Sequence, residues 1–262
     1  MNPEEPIPTP RPAEDGNAQS PPAQASPASQ LASHLRVQVG RVFLGQRAVL
    51  DQVVAALFAG GHVLPEGKPG LGKTHLVLAL ARAIGGEFRR IQFTPDLMPS
   101  DVTGHTLYDM GSQSFRVRRG PVFTNLLLAD EINRAPAKTQ SALLEVMQEA
   151  RVTIDGETHT LEPPFMTFAT QNPIEQEGTY PLPEAQLDRF LLKVLIDYPE
   201  QTDEEAIVTG ASSGRSLDPG AVEEVCSPAD IIAAQAVVRA VQAVPEVVRY
   251  ACLLYTSPSP RD

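Results

Sequence analysis

The eight residues Gly67-Lys68-Pro69-Gly70-Leu71-Gly72-Lys73-Thr74 follow the spacing G-x-x-x-x-G-K-[ST], a pattern that holds a phosphate chain. Its glycines let successive backbone N–H groups converge on phosphate oxygens, and the helix that follows presents its positive end to the same charge. Lys73 can reach the β- and γ-phosphates, and the Thr74 hydroxyl can ligate Mg²⁺. Further along, the apolar run Leu126-Leu127-Leu128-Ala129 ends in two adjacent carboxylates, Asp130 and Glu131. A buried strand of this kind delivers Asp130 to a metal through water and Glu131 to the water that attacks. A second apolar run, Met166–Thr170, leads into Gln171-Asn172-Pro173. At that tip Asn172 can hydrogen-bond the attacking water or the γ-phosphate, although an Asn before Pro is also an ordinary turn former. Arg189, in Glu184-Ala185-Gln186-Leu187-Asp188-Arg189-Phe190, closes a short helix. An arginine there either satisfies the helix carbonyls or projects from a subunit edge into a neighbour's nucleotide site as an arginine finger.

These side chains need a scaffold that brings the glycine loop, the carboxylate strand and the Asn strand to one edge, and the pattern of short apolar runs predicts one. His62-Val63-Leu64 enters the glycine loop and a helix from Thr74 to Ile84 leaves it, which is one half of a parallel α/β unit. With the runs Arg90–Phe93, Leu126–Ala129, Phe165–Thr170 and Leu191–Ile196 it makes five strands, expected as a doubly wound parallel sheet. Helical stretches alternate with them, the clearest from Pro136 to Glu149 with Leu143, Leu144 and Met147 on one side. Arg151–Leu161 reads as a hairpin turning at Asp155-Gly156. Thr103–Val117 reads as a looser one turning near Met110-Gly111-Ser112.

Residues 1–30 carry eight of the 25 prolines and one branched aliphatic, so they are expected to be a disordered Pro/Ala/Ser/Gln-rich tail. Residues 31–200 are expected to form the nucleotide-binding α/β core and 201–252 the start of a helical lid, with Ser227 capping the stretch Ile231–Val241. The last ten residues, 253–262, lack periodicity and resemble translated adapter read-through, so the native lid is expected to be truncated there. A formal net charge of −11 argues against a broad footprint for nucleic acid. Two cysteines, Cys226 and Cys252, make no disulfide framework, which fits a reducing cytoplasm. No apolar run is long enough to insert into a membrane.

Read in order, these motifs resemble the MoxR family of AAA+ ATPases over about Leu31–Ala251. The resemblance rests on His62–Thr74, Ala129-Asp130-Glu131-Ile132-Asn133-Arg134-Ala135-Pro136, Leu143–Glu149, Ala169-Thr170-Gln171-Asn172-Pro173 and Leu182–Phe190. It implies a P-loop NTPase fold that binds and hydrolyses ATP with Mg²⁺, with Lys73 and Thr74 as Walker A and Asp130 and Glu131 as Walker B. It makes Asn172 sensor 1 and Arg189 the arginine finger, and places Gly45-Gln46 where the backbone contacts adenine. The Thr103–Val117 hairpin corresponds to the helix-2 insert and Arg151–Leu161 to the pre-sensor hairpin. Homo-oligomerisation as a hexameric ring, protein clients and a von Willebrand A domain partner follow from the same resemblance. This sequence departs from the family at Pro65, which removes a ladder donor at the end of the first strand, and at Lys68. By the same resemblance the sensor 2 arginine is expected in the helical lid well past Ala251, and the role is not carried onto Arg261. Two other readings stay open at this level: a P-loop small-molecule kinase, disfavoured by the paired Asp130-Glu131, and a DNA-associated AAA+ motor or regulator, whose one sequence feature is the cluster Arg116, Arg118, Arg119.

Overall fold

In the computed structural model, which describes residues 26–68, 70–171, 180–212 and 217–256, helix α1 (Pro27–Gly40) starts on Ser26, whose hydroxyl accepts from the Ser29 N–H. A proline in the first turn and the buried Ala28 complete that start, so residues 27–30 are helix where the sequence suggests tail. Helix α2 (Arg47–Ala59) leads into strand β1 (Val63–Glu66), and helix α3 (Lys73–Ala83) into β2 (Phe88–Gln92). A short helix α4 (Pro99–Thr103) precedes the antiparallel pair β3 (Gly104–Asp109) and β4 (Ser114–Arg119). Strand β5 (Leu126–Asp130) is followed by a 3₁₀ turn (Ile132–Arg134) and helix α5 (Ala137–Glu149). The tight hairpin β6 (Arg151–Ile154) and β7 (Glu157–Thr160) turns on Asp155 and Gly156, both at positive φ. Strand β8 (Met166–Ala169), helix α6 (Glu184–Leu187) and strand β9 (Leu192–Leu195) complete the α/β part, and α7 (Gln201–Ser212), α8 (Pro228–Arg239) and α9 (Pro245–Thr256) follow. Among the described residues no helix is long and apolar enough to cross a membrane.

The five expected strands form one parallel sheet in the order β2-β5-β8-β1-β9. Strand β5 is buried along its whole length because alternate side chains enter different layers. Leu126 and Leu128 join Val63, Phe168 and the inner faces of α1, α2 and α3; Leu127 and Ala129 join Leu143, Met147 and Val152 on the opposite side. Register then levels the tips: Gln92 lies opposite Asp130, and Ala129 opposite Ala169.

Two features add to the sequence reading. Val222, Cys226, Ile231 and Ala234 belong to the same buried layer as α1, α2 and α3, and Gln235 Nε2 donates to Leu57 O at 2.8 Å. The stretch before and through α8, expected as the start of a helical lid, is thus packed against the α/β core. Helix α9 continues through Leu253–Thr256, part of the stretch expected to be foreign, while residues 257–262 and 1–25 lie outside the described residues.

Pro65 acts on one side of β1 only. Leu191 N donates to His62 O and Ile196 N to Glu66 O, so the even-numbered residues of β1 face β9. The odd-numbered ones face β8, and there the pairing is limited to Val63 with Phe168. The donor that Pro65 lacks is therefore missing from the β8 side, next to the glycine loop.

His62 fixes the other end of β1. Its Nδ1 accepts from the Thr167 N–H at 3.0 Å, so the ring's proton is on Nε2, which donates to Met147 O at 2.9 Å. Burial holds the imidazole below the usual histidine range, with the Met147 bond pulling the other way. Because the folded-state pKa is depressed, the stabilisation is present above the unfolded value, about 6.5, and fades as pH falls through and below it. His62→Gln removes the titration and leaves one buried backbone partner unpaired, which costs about 1–3 kcal/mol at pH 7.5. Denaturant unfolding of both proteins from pH 7.5 to 5 is expected to show this gap narrowing as pH falls. A constant gap would mean that His62 does not carry the linkage.

Candidate functional site

The glycine loop joins β1 to α3, and its shape depends on residues without side chains. A Cβ on Gly67 would come within 2.2 Å of the Ile196 carbonyl oxygen, and Gly72, the residue before α3, sits at φ +79. Lys73 and Thr74 thereby fall in the first turn of α3, at its positive end. Lys73 Nζ donates to Gly67 O at 2.5 Å. Burial pushes its ammonium below the usual lysine range, and the charges of Asp130, Glu66 and Glu131 pull it back up.

A cavity of about 360 Å³ opens between this loop and the tips of β5 and β8. Gly67, Gly70, Gly72, Lys73 and Thr74 line one side, and Asp130 and Glu131 the other. Asp130 is almost buried, and its carboxylate has a donor on each oxygen. Thr170 Oγ1 donates to Oδ1 at 3.1 Å and Arg90 Nε donates to Oδ2 at 2.6 Å. The same Thr170 oxygen accepts from the Glu131 N–H at 2.9 Å, so one hydroxyl just past β8 joins the two acidic residues at the tip of β5. Glu131 stands in the left-handed region, at φ 54 and ψ 49, a conformation that costs a non-glycine residue about 1–2 kcal/mol. Besides the Thr170 bond, Arg134 N donates to its carbonyl, and Gln92 Nε2 and Arg134 Nη1 donate to its carboxylate at 2.8 and 3.1 Å. The strained backbone aims Glu131 into the cavity.

A second cavity, about 500 Å³, shares Gly70, Gly72 and His75 with the first and is mostly apolar. Val42, Phe43, Leu71, Tyr198, Ile207 and Val208 line it together with Gln46, whose buried Oε1 has no hydrogen-bond partner. Gly45 does not line it and packs against Pro199 and Asp203 instead. The polar cavity suits a phosphate chain, and the flat apolar one, with an unpaired acceptor in its wall, suits a base.

Residues 62–192 match the model of the ATPase family associated with various cellular activities (AAA). The chain is 46% identical over 228 residues to Chaperone MoxR1 of Mycobacterium tuberculosis, covering 84% of this chain and 59% of that protein. It is a member of the MoxR family of AAA+ ATPases. YeaC of Bacillus subtilis is 49% identical over 212 residues, covering 81% of this chain and 66% of the relative. The crystal structure of a candidate ATPase from Cytophaga hutchinsonii aligns with a TM-score of 0.74 at 42% identity, covering 85% of this chain and 69% of that one. The chain thus spans about 59–66% of the length of these two curated relatives.

Most residues singled out from the sequence of this MoxR-family chain converge here, and some do not. Lys68 turns away from the phosphate cavity, its ammonium 4.9 Å from the centre of the Tyr198 ring. Pro69 and Asn172 lie outside the described residues, although the neighbouring Gln171 lines the cavity. Arg189 is exposed, just past α6, and its guanidinium makes no hydrogen bond or ion pair with a described residue. The sequence reading missed Arg90, Gln92, Thr170 and His75. The alternation Arg90-Ile91-Gln92 was the available signal for a polar strand face, but the strand neighbour of that face is a matter of register.

Among the described residues no three His, Cys, Asp or Glu side chains cluster to hold a metal alone. The donor set is instead one hydroxyl, Thr74, and one carboxylate, Asp130, beside a phosphate cavity. This fits Mg²⁺, which keeps several waters and takes the rest of its shell from a ligand's phosphates. Thr170→Val keeps the side-chain shape but unpairs Glu131 N–H and one Asp130 oxygen, and is expected to lower stability by about 1–3 kcal/mol in chemical denaturation. Thr170→Ser keeps the hydroxyl and should stay within about 1 kcal/mol of the parent.

Proposed function

We propose that the chain binds MgATP and hydrolyses it to ADP and phosphate, within a homo-oligomeric ring that remodels or matures protein partners. The observation that carries this reading is the continuity of the two cavities. One holds a lysine, a hydroxyl and two carboxylates; the other is an apolar slot. In this reading Lys73 leaves Gly67 O for the β- and γ-phosphates. The backbone of Gly67 to Gly72 wraps the chain, Thr74 and Asp130 hold the Mg²⁺ and its waters, and Gln46 and Leu71 receive the base. The bound Mg²⁺ neutralises charge on the phosphates. Glu131 takes the proton of the attacking water, with Asn172 as the further polar contact.

For assembly the reading uses Arg189, which is exposed just past α6 and which the family resemblance makes an arginine finger reaching a neighbour's site. A hexameric ring, a cytoplasmic setting, protein clients and a von Willebrand A domain partner complete the proposal. They rest on family membership and on the name of the Mycobacterium tuberculosis chaperone.

Glu131→Gln keeps the carboxylate's shape without its basicity. ATP affinity should stay within about twofold of the parent while turnover falls by about two orders of magnitude or more; hydrolysis near the parent rate would make Glu131 a strand-end carboxylate. The ring is tested by mixing. Arg189→Ala should bind fluorescent ATP normally and hardly hydrolyse it, and Lys73→Ala should not bind it. Combining the two should recover part of the activity, because one supplies intact loops and the other intact fingers. No recovery, with specific activity flat against concentration, would make Arg189 a residue of its own chain.

A further inference from the structure

Strand β2 lies at the sheet edge beside β5, and its polar face contributes two side chains to the acidic tip, Gln92 to Glu131 and Arg90 to Asp130. The second contact is an ion pair between a half-exposed guanidinium and a carboxylate that is 13% exposed. It occupies Asp130 Oδ2, while Thr170 holds Oδ1. Among the described residues that line the cavity, Lys73 and Arg90 stand against Asp130 and Glu131, and Glu66 also acts on Lys73, so these charges are paired with one another. A divalent ion entering alone would have to displace Arg90 from a carboxylate already paired.

The geometry points to Arg90 as the resting counterion of Asp130, a positioning residue that makes binding of a divalent cation conditional on the nucleotide. This rests on the MgATP reading above and adds an order of events to it. The phosphates bring negative charge that attracts the cation and competes for the Arg90 guanidinium. The cation then takes Asp130, and Arg90, on an edge strand with its outer half in solvent, is released without leaving a buried charge unpaired. A glutamine at this position would leave Asp130 Oδ2 without its cation, so the ion could bind before any nucleotide.

The test uses the full chain and Mn²⁺ as the probe, followed by electron paramagnetic resonance of the free ion, without nucleotide. The parent is expected to retain little Mn²⁺, and Arg90→Gln to retain it with an affinity about three- to tenfold higher, the range that a partly exposed, charge-assisted pair can account for. Arg90→Lys, which keeps the charge, should return to the parent's behaviour, and Arg90→Gln combined with Asp130→Asn should abolish the gain. In the presence of fluorescent ATP, the Mg²⁺ concentration giving half of the full cation-dependent signal should fall by a similar factor for Arg90→Gln. Equal Mn²⁺ retention by the parent and Arg90→Gln, or a raised Mg²⁺ requirement, overturns the inference. A parent that binds no ATP at all overturns the MgATP reading instead, which separates the two failures.

Discussion

Two adjacent carboxylates at the end of a fully buried strand need donors and cations brought to them by other parts of the chain. Burial of β5 on both faces is unavoidable once helices cover the sheet, since Leu126, Leu127, Leu128 and Ala129 have no exposed surface. The donors must therefore arrive through neighbouring strand tips. Thr170 comes from just past β8, Arg90 and Gln92 from β2, and Lys73 from the first turn of α3. Parallel pairing is what makes this work, because it places the C-terminal ends of all these strands at one edge. The positive end of α3 faces the same edge, so the site and the stability of its acids have one common origin.

The sequence made the strands and the glycine loop legible because each carries its own local signal: apolar runs of four to six residues, glycines at fixed spacing, and an Asp-Gly turn between β-rich arms. The same holds for Ser227, whose hydroxyl accepts from Asp230 N while Asp230 returns a bond to Ser227 N. Less legible were residues whose role depends on a neighbour distant in the chain. Thr170 looked like the last residue of an apolar run, and only the pairing of β8 with β5 makes its hydroxyl the bridge between Asp130 and Glu131. Lys68, counted among loop residues facing phosphate, is drawn off by Tyr198, well over a hundred positions later. The start of α1 was missed because prolines and small polar residues read as tail, whereas Ser26 and Pro27 together also form a helix start.

Cooperation between the two cavities depends on α7. Ile207 and Val208 close the apolar slot from a helix that follows the α/β sheet, and Tyr198 carries both a wall of the slot and the Lys68 contact. The segment entering α7 is thus attached to the glycine loop by a cation–π contact as well as by the backbone of β9. The apolar slot and the glycine loop therefore share walls, Gly70, Leu71 and Gly72 from the loop and Tyr198 from the segment before α7.

Pro65 gives the glycine loop an unusual suspension. The tip of β1 is tied by ladder bonds to β9 alone, while on its other flank the strand bearing Thr170 offers it nothing past Val63. In mechanical terms the loop hangs on one leaf of a hinge. The strand that leads into the loop and the strands that hold Asp130 and Glu131 thus meet along a seam without ladder pairing past Val63.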